Sequence, residues 1–300
     1  GHSMGENTAA CIAGVISLKD ALGLVALRGQ LFDQVPASGM LSVQLSRQAL
    51  EPLLGELDVA AINADELSVV SGSLEDLKTL EEKLEKDDVG CQRIHIKIAA
   101  HSRLLDDILQ PFGDYLRSIK LNTPTIPFLS NLTGDWITAD QATDPEYWVS
   151  HLRNSVLFAE GAEKLLEGNK HVLVEVGPGN TLSSLVKVNS QFTSNHSVAS
   201  SLPRPDEAVC AQRFMLTALG FIWQADATID WDAYFATAPR QRIPLPTYCF
   251  DHKNYWIEPG EGSFKGPMTT EAMERGERLD DWLYQPVWQR SRSVLSLIHI

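Results

Sequence analysis

Gly1-His2-Ser3-Met4-Gly5-Glu6-Asn7-Thr8-Ala9-Ala10-Cys11-Ile12-Ala13 opens the chain. Its first five residues spell G-x-S-x-G, the pattern that displays a serine on a sharp turn between a strand and a helix. Gly1 and Gly5 flank Ser3 where side chains would crowd such a turn. The small residues up to Ala13 suit the helix that must follow. Gly, His, Ser and Met are also what a cleaved purification tag leaves behind, but the unbroken run into residues 6–13 speaks against that origin. A turn of this kind needs a strand before it, so the sequence is expected to begin inside its own active site.

Outward from the turn, Ser17 with Asp20 makes a capping-box-like start, and Leu18, Leu22, Val25 and Phe32 recur at helical spacing, which predicts a helix over residues 17–32. Residues 40–45 alternate as a strand, 48–54 read as helix, and 58–63 and 67–72 read as strands. Leu74, Leu77, Leu80 and Leu84 then give a helix over 74–86, and Ile94-His95-Ile96-Lys97-Ile98 alternates strictly as a strand. The order β-α-β-β-α-β is the ferredoxin-like split unit, placed as an insertion. Beyond it come a helix over 102–119, a strand over 126–130 and a helix over 160–167. A buried strand over 171–176 ends in Gly177-Pro178-Gly179, which opens a helix over 182–188. Alternating strands and helices imply α/β layers. A last helix over 207–223 leads into Pro-rich extended chain, residues 260–276 read as a linker, and Asp281 begins something new.

Composition narrows the classes of function. Three hundred residues at 44% hydrophobic content bury a sizeable core. A net charge of -14 argues against nucleic acid or an anionic membrane surface as partner. The four cysteines show no paired spacing, so neither a disulfide framework nor a metal site is expected, and a reduced, cytoplasmic setting is. No apolar run reaches membrane-spanning length.

A serine hydroxyl attacks well only when a base takes its proton. Of the eight histidines, His95 and His171 lie inside expected strands, whereas His101 follows a strand directly, at the kind of junction where catalytic groups are displayed. Arg28 lies on the apolar stripe of its helix. A buried guanidinium needs an anion and matches a carboxylate bidentately. That anion is either a structural carboxylate or one on the substrate.

These residues resemble the acyltransferase domain of a modular (type I) polyketide synthase, a relative of malonyl-CoA:acyl-carrier-protein transacylases. Gly1 to Glu6 fits the family's GHSxGE. Ala26-Leu27-Arg28-Gly29 fits its Arg-Gly helix end, and His101-Ser102 its catalytic His-Ser. Ser130 to Gly134, Tyr147 to Arg153 and Glu175 to Gly179 fit S-N-x-T-G, Y-W-x-x-H-L-R and E-V-G-P-G. The implied fold is an α/β-hydrolase-like large subdomain (residues 1–38 and 99–192, its first part missing) with the ferredoxin-like small subdomain at 39–98. Residues 193–259 would be the linker after the acyltransferase, 260–280 a flexible linker, and 281–300 the start of a following domain, of ketoreductase type.

The resemblance implies that Ser3 is the nucleophile and His101 its base. Arg28 would bind the substrate carboxylate, the Met4 N–H would serve the oxyanion, and the backbone carbonyl of His151 would orient His101. The substrate would be a CoA thioester, malonyl-CoA or methylmalonyl-CoA, with no bound cofactor or metal. The acceptor would be the phosphopantetheine of an acyl carrier protein, with ketosynthase and ketoreductase domains adjoining. The second oxyanion donor in the family is a glutamine near the domain's N-terminus. It is absent here, so the isolated chain is expected to be inactive. The triplet before the histidine, Ile98-Ala99-Ala100, matches neither His-Ala-Phe of malonyl enzymes nor Tyr-Ala-Ser of methylmalonyl enzymes. Ala100 leaves room for a methyl branch, while Met4 stands where methylmalonyl enzymes often carry Gln, and malonyl is favoured. The competing readings are a serine esterase or thioesterase of related fold, and a non-catalytic docking piece.

Overall fold

The computed structural model describes residues 1–168, 170–236, 241 and 243–253. Met4–Ile12 (α1) follows the serine turn, and Leu18–Phe32 (α2) packs beside it. Next come Ser38–Val43 (β1), Arg47–Leu50 (α3), Asp58–Ala64 (β2), Leu67–Ser73 (β3), Leu74–Lys86 (α4) and Cys91–Ile94 (β4). The remaining elements are Leu109–Ser118 (α5), Ala139–Thr143 (α6), Pro145–Arg153 (α7), Val156–Leu157 (β5), Phe158–Leu166 (α8), Val172–Pro178 (β6), Thr181–Lys187 (α9), Ser197–Leu202 (β7), Ala211–Gln224 (α10) and Trp231–Phe235 (α11).

The sheet order β4-β1-β3-β2 is that of the expected split unit, with β5 added parallel to the outer edge of β2. Period-2 alternation places Leu41, Val43 and Val70 on one face, where Leu77, Leu80 and Leu84 of α4 cover them. Ser73 starts α4 by accepting from the Asp76 N–H at 3.1 Å. The first strand of this sheet, β1, begins at Ser38.

A second core joins α1, α2, α5 and α7 through Ala10, Leu24, Leu31, Phe112, Leu116 and Trp148. Gly23 lets α2 approach α5 closely: a Cβ there would stand 2.0 Å from the Tyr115 hydroxyl, which donates to the Asp20 carbonyl. This contact fixes the helix that carries Arg28. A parallel pair, β6 with β7, carries α9 and α10.

Several expected elements differ. Strand β4 stops at Ile94, because its partner β1 pairs no further than Met40 with Ile94; His95 to Ile98 are irregular and Ile96 is exposed. The helix expected over 102–119 is a 3-10 segment, Arg103–Ile108, followed by α5. Pro111 is the reason: it has no N–H for the Asp107 carbonyl and is tolerated only in a first turn. Residues 126–130 form only a bridge, Leu129 with Trp136.

The chain divides at Ala236 into two units. Part of the expected 193–259 linker therefore belongs to the first unit, since β7 pairs with β6 and α10 covers it. In the second unit, residues 241 and 243–253 form neither helix nor strand. The segments 260–280 and 281–300 lie outside the described residues. No described helix is long and apolar enough to cross a membrane.

Candidate active site

Ser3 is the N-cap of α1, with φ 49° and ψ -113°. A side chain rarely adopts that conformation, and holding it costs about 1–3 kcal/mol. Close approach explains Gly1, where a Cβ would meet Gly5 backbone atoms at 2.2 Å; a Cβ on Gly5 would meet nothing, so only the first of the two glycines is required by crowding. The Gly5 and Glu6 N–H groups bond back to the His2 and Ser3 carbonyls at 2.9 Å. The Met4 N–H, in the first turn of α1, finds no acceptor among the described residues.

Ser3 Oγ lies 2.7 Å from His101 Nε2. His101 Nδ1 lies 2.9 Å from the Asn154 carbonyl and donates to it, which leaves Nε2 as the acceptor for the serine proton. The expected orienting carbonyl was that of His151. Asn154 supplies it instead, because it ends α7 with extended φ -96° and ψ 167° and turns its carbonyl out of the helix. His101 itself sits in an irregular segment at φ 57°, seven residues beyond β4 rather than directly after a strand.

Burial pushes the His101 pKa down to about 3, reinforced by His151, Arg28 and His2 and opposed by the Asn154 bond. The imidazole is therefore a neutral base at ordinary pH. An unfolded histidine titrates near 6.5, so below about that pH the unfolded chain binds more protons than the folded one. The stability His101 contributes is complete above about 6.5 and lost progressively toward 3. His2, likewise lowered chiefly by burial, acts in the same direction. The urea midpoint should fall between about pH 7 and about pH 5, and His101→Gln should lessen that fall; equal midpoints would contradict a buried neutral histidine.

Arg28 is 6% exposed, and its pKa is lowered to about 10 by burial, which leaves it charged. One terminal nitrogen lies 3.5 Å from Ser3 Oγ and the other 3.7 Å from Met4 Sδ. The Phe32 ring is stacked 4.9 Å from the guanidinium carbon. Its Nε has no hydrogen-bond partner and no carboxylate pairs with it among the described residues. Of the two anions the sequence left open, a structural one is not found among the described residues. Four groups thus converge: a nucleophile, a neutral base and, among the described residues, a backbone donor without an acceptor and a cation without a carboxylate partner. This arrangement suits attack on a carbonyl attached to an anionic group.

The family profile described as "Acyl transferase domain" matches residues 1–228. The chain belongs to this family. Among relatives of this acyl transferase domain, the polyketide synthase GfsA of Streptomyces halstedii is 34% identical over 264 aligned positions, covering 86% of this chain and 4% of the relative. The solved acyl transferase domain of ZmaA is 36% identical with a TM-score of 0.75, over 82% of this chain and 58% of that one. The acyl transferase domain of SpnD, solved in complex with 2-(pent-4-yn-1-yl)malonyl, is 36% identical with a TM-score of 0.72, over 75% of this chain and 55% of that one. The chain thus spans a small fraction of the synthase and under two thirds of each solved domain.

Within this acyl transferase domain the remaining expected residues fall in different places. Met4 borders Arg28, as noted. Ala100 is buried in an apolar cluster with Met40, Val69 and Val156 beneath the sheet. The His151 side chain is buried, its Nε2 3.3 Å from Glu6 Oε2. Residue spacing did not single out Glu6, Asn131 or Asn154. Glu6 and Asn131 stood in the quoted motifs without a role of their own, and Glu6, a carboxylate inside a helix of small and apolar residues, is buried completely.

Proposed function

We propose that this chain moves a malonyl-type extender unit from CoA to the phosphopantetheine thiol of an acyl carrier protein, through an ester on Ser3, as part of a polyketide synthase. The observation that carries this reading is Arg28: a buried guanidinium, unpaired among the described residues, 3.5 Å from the nucleophilic oxygen. A hydrolase of neutral esters has no use for it.

In the first half-reaction Ser3 Oγ attacks the thioester carbonyl while its proton passes to His101 Nε2. The Oγ–C bond forms, the C–S bond breaks, and His101 returns the proton to the departing CoA sulfur. In the second half, the carrier thiol gives its proton to His101 and attacks the ester carbonyl: the S–C bond forms, the Oγ–C bond breaks, and His101 returns the proton to Ser3 Oγ. The Met4 N–H, at the start of α1, would stabilise the oxyanion in both. The carboxylate on Arg28 fixes the acyl group so that its carbonyl faces Ser3.

Malonyl is favoured over methylmalonyl, with Met4 and Ala100 as the selectivity positions; one methyl group is worth only about 1–3 kcal/mol of discrimination. The proposal extends to a cytoplasmic setting and adjoining ketosynthase and ketoreductase domains on the same polypeptide. It includes the subdomain division at residues 39–98. Peptide mass mapping of the intact polypeptide tests it: malonyl-CoA should leave a malonyl ester on Ser3 that carrier protein discharges. An adduct elsewhere, or none, would refute it.

A further inference from the structure

Ser3 holds a backbone conformation that relaxes unless something opposes it, and the opposing contacts come from far along the chain. The Ser3 N–H donates to Asn131 Oδ1 at 2.7 Å, and Asn131 Nδ2 donates to the Gly1 carbonyl at 2.8 Å. One carboxamide thus offers the entering chain a donor and an acceptor two residues apart, as the backbone of a neighbouring strand would. Asn131 is itself held at both backbone groups. Its N–H donates to Glu6 Oε2 at 2.6 Å, and its carbonyl accepts from the Leu157 N–H at 2.7 Å.

Glu6 lies in the first turn of the helix that Ser3 caps and is completely buried. Its other oxygen accepts from the Tyr147 hydroxyl at 2.5 Å. Burial alone would raise the Glu6 pKa, but His151, Tyr147 and the Asn131 N–H outweigh it and hold the group below the usual carboxylate range. The contacts therefore close a ring: Ser3 to Asn131, Asn131 to Glu6, and Glu6 through one helical turn back to Ser3.

We propose that Asn131 is the positioning residue that holds the Ser3 backbone in its strained conformation, and that Glu6 fixes Asn131 in turn. The proposal rests on Ser3 being the nucleophile, not on the identity of the acyl group. Neither residue touches the reacting atoms. Asn131 acts by keeping Ser3 Oγ in reach of His101 Nε2.

The test compares the intact polypeptide with Asn131→Leu and Glu6→Gln, using a small uncharged sulfonyl fluoride as probe. Ser3 labelling should slow at least about tenfold in Asn131→Leu. Amide exchange at Ser3 should quicken by a similar factor while exchange in α5 stays unchanged, a local opening rather than a global one. Adding Glu6→Gln should slow labelling no more than about twofold further, because the two residues form one chain of contacts. Should Asn131→Leu fail to fold, Asn131→Asp keeps the acceptor for the Ser3 N–H and should preserve its slow exchange. Unchanged labelling in a folded Asn131→Leu, uniform quickening of exchange in α5 and at Ser3, or fast Ser3 exchange in Asn131→Asp would each overturn the proposal. The probe carries neither carboxylate nor CoA, so failure of malonyl transfer would leave these readouts intact.

Discussion

Arg28→Ala should lower kcat/KM for malonyl-CoA by roughly 30- to 5,000-fold, the equivalent of about 2–5 kcal/mol for truncating one member of a buried charge pair. Acetyl-CoA should not suffer, since it brings no carboxylate, and its loading should improve relative to malonyl. Arg28→Lys should recover little, because an ammonium lacks the planar fork that grips a carboxylate bidentately. A second effect has the opposite sign. Without substrate, Arg28 is a buried charge with no described carboxylate partner and an Nε without an acceptor. An apolar residue of similar reach, Arg28→Leu, should therefore raise the unfolding midpoint while abolishing the preference for malonyl. Gain of stability with loss of selectivity is the signature of a group kept for its ligand. Steady-state kinetics and thermal melts on the same samples read both effects.

His101→Ala should slow acylation of Ser3 by roughly 10²–10⁴-fold, the usual contribution of a positioned base. Discharge to the carrier thiol should slow with it, because the same Nε2 handles the proton in both half-reactions. Ser3→Ala combined with His101→Ala should be no worse than Ser3→Ala alone, since the pair acts as a unit. Single-turnover measurement of each half-reaction separates these outcomes; a defect confined to one half would require a second base.

Periodicity marked the elements of the split unit: leucine spacing pointed to α4 and alternation over residues 40–45 to β1, and in the structure Leu77, Leu80 and Leu84 cover Leu41, Val43 and Val70, whereas the strictest alternation, over 94–98, fell where β4 has already ended. Motif pointed to Ser3 and His101, and place on the apolar stripe of α2 pointed to Arg28, while the strand expected directly before His101 ends seven residues earlier. Helix α7 also had local signals, Asp144 as N-cap and Pro145 in the first turn. The contacts that make the site work were not legible in this way. Asn131 reaches Ser3 across 128 residues and Asn154 reaches His101 across 53, and no local pattern encodes such distances. The carbonyl at Asn154 depends on where α7 ends, and helix ends are the least regular part of a helix. Pro111 shows the opposite case, a single residue whose effect on the 3-10 segment and α5 follows from its missing N–H.

In the proposed reaction Arg28 receives a carboxylate while Ser3 attacks the neighbouring carbonyl. The most direct measurement compares Ser3 acylation by malonyl-CoA with acylation by its half-amide, malonamyl-CoA, which has the same shape without the charge. The half-amide should load at least about 30-fold more slowly, the lower bound for losing a buried charge pair. Equal rates for the two thioesters would contradict a carboxylate-binding role for Arg28.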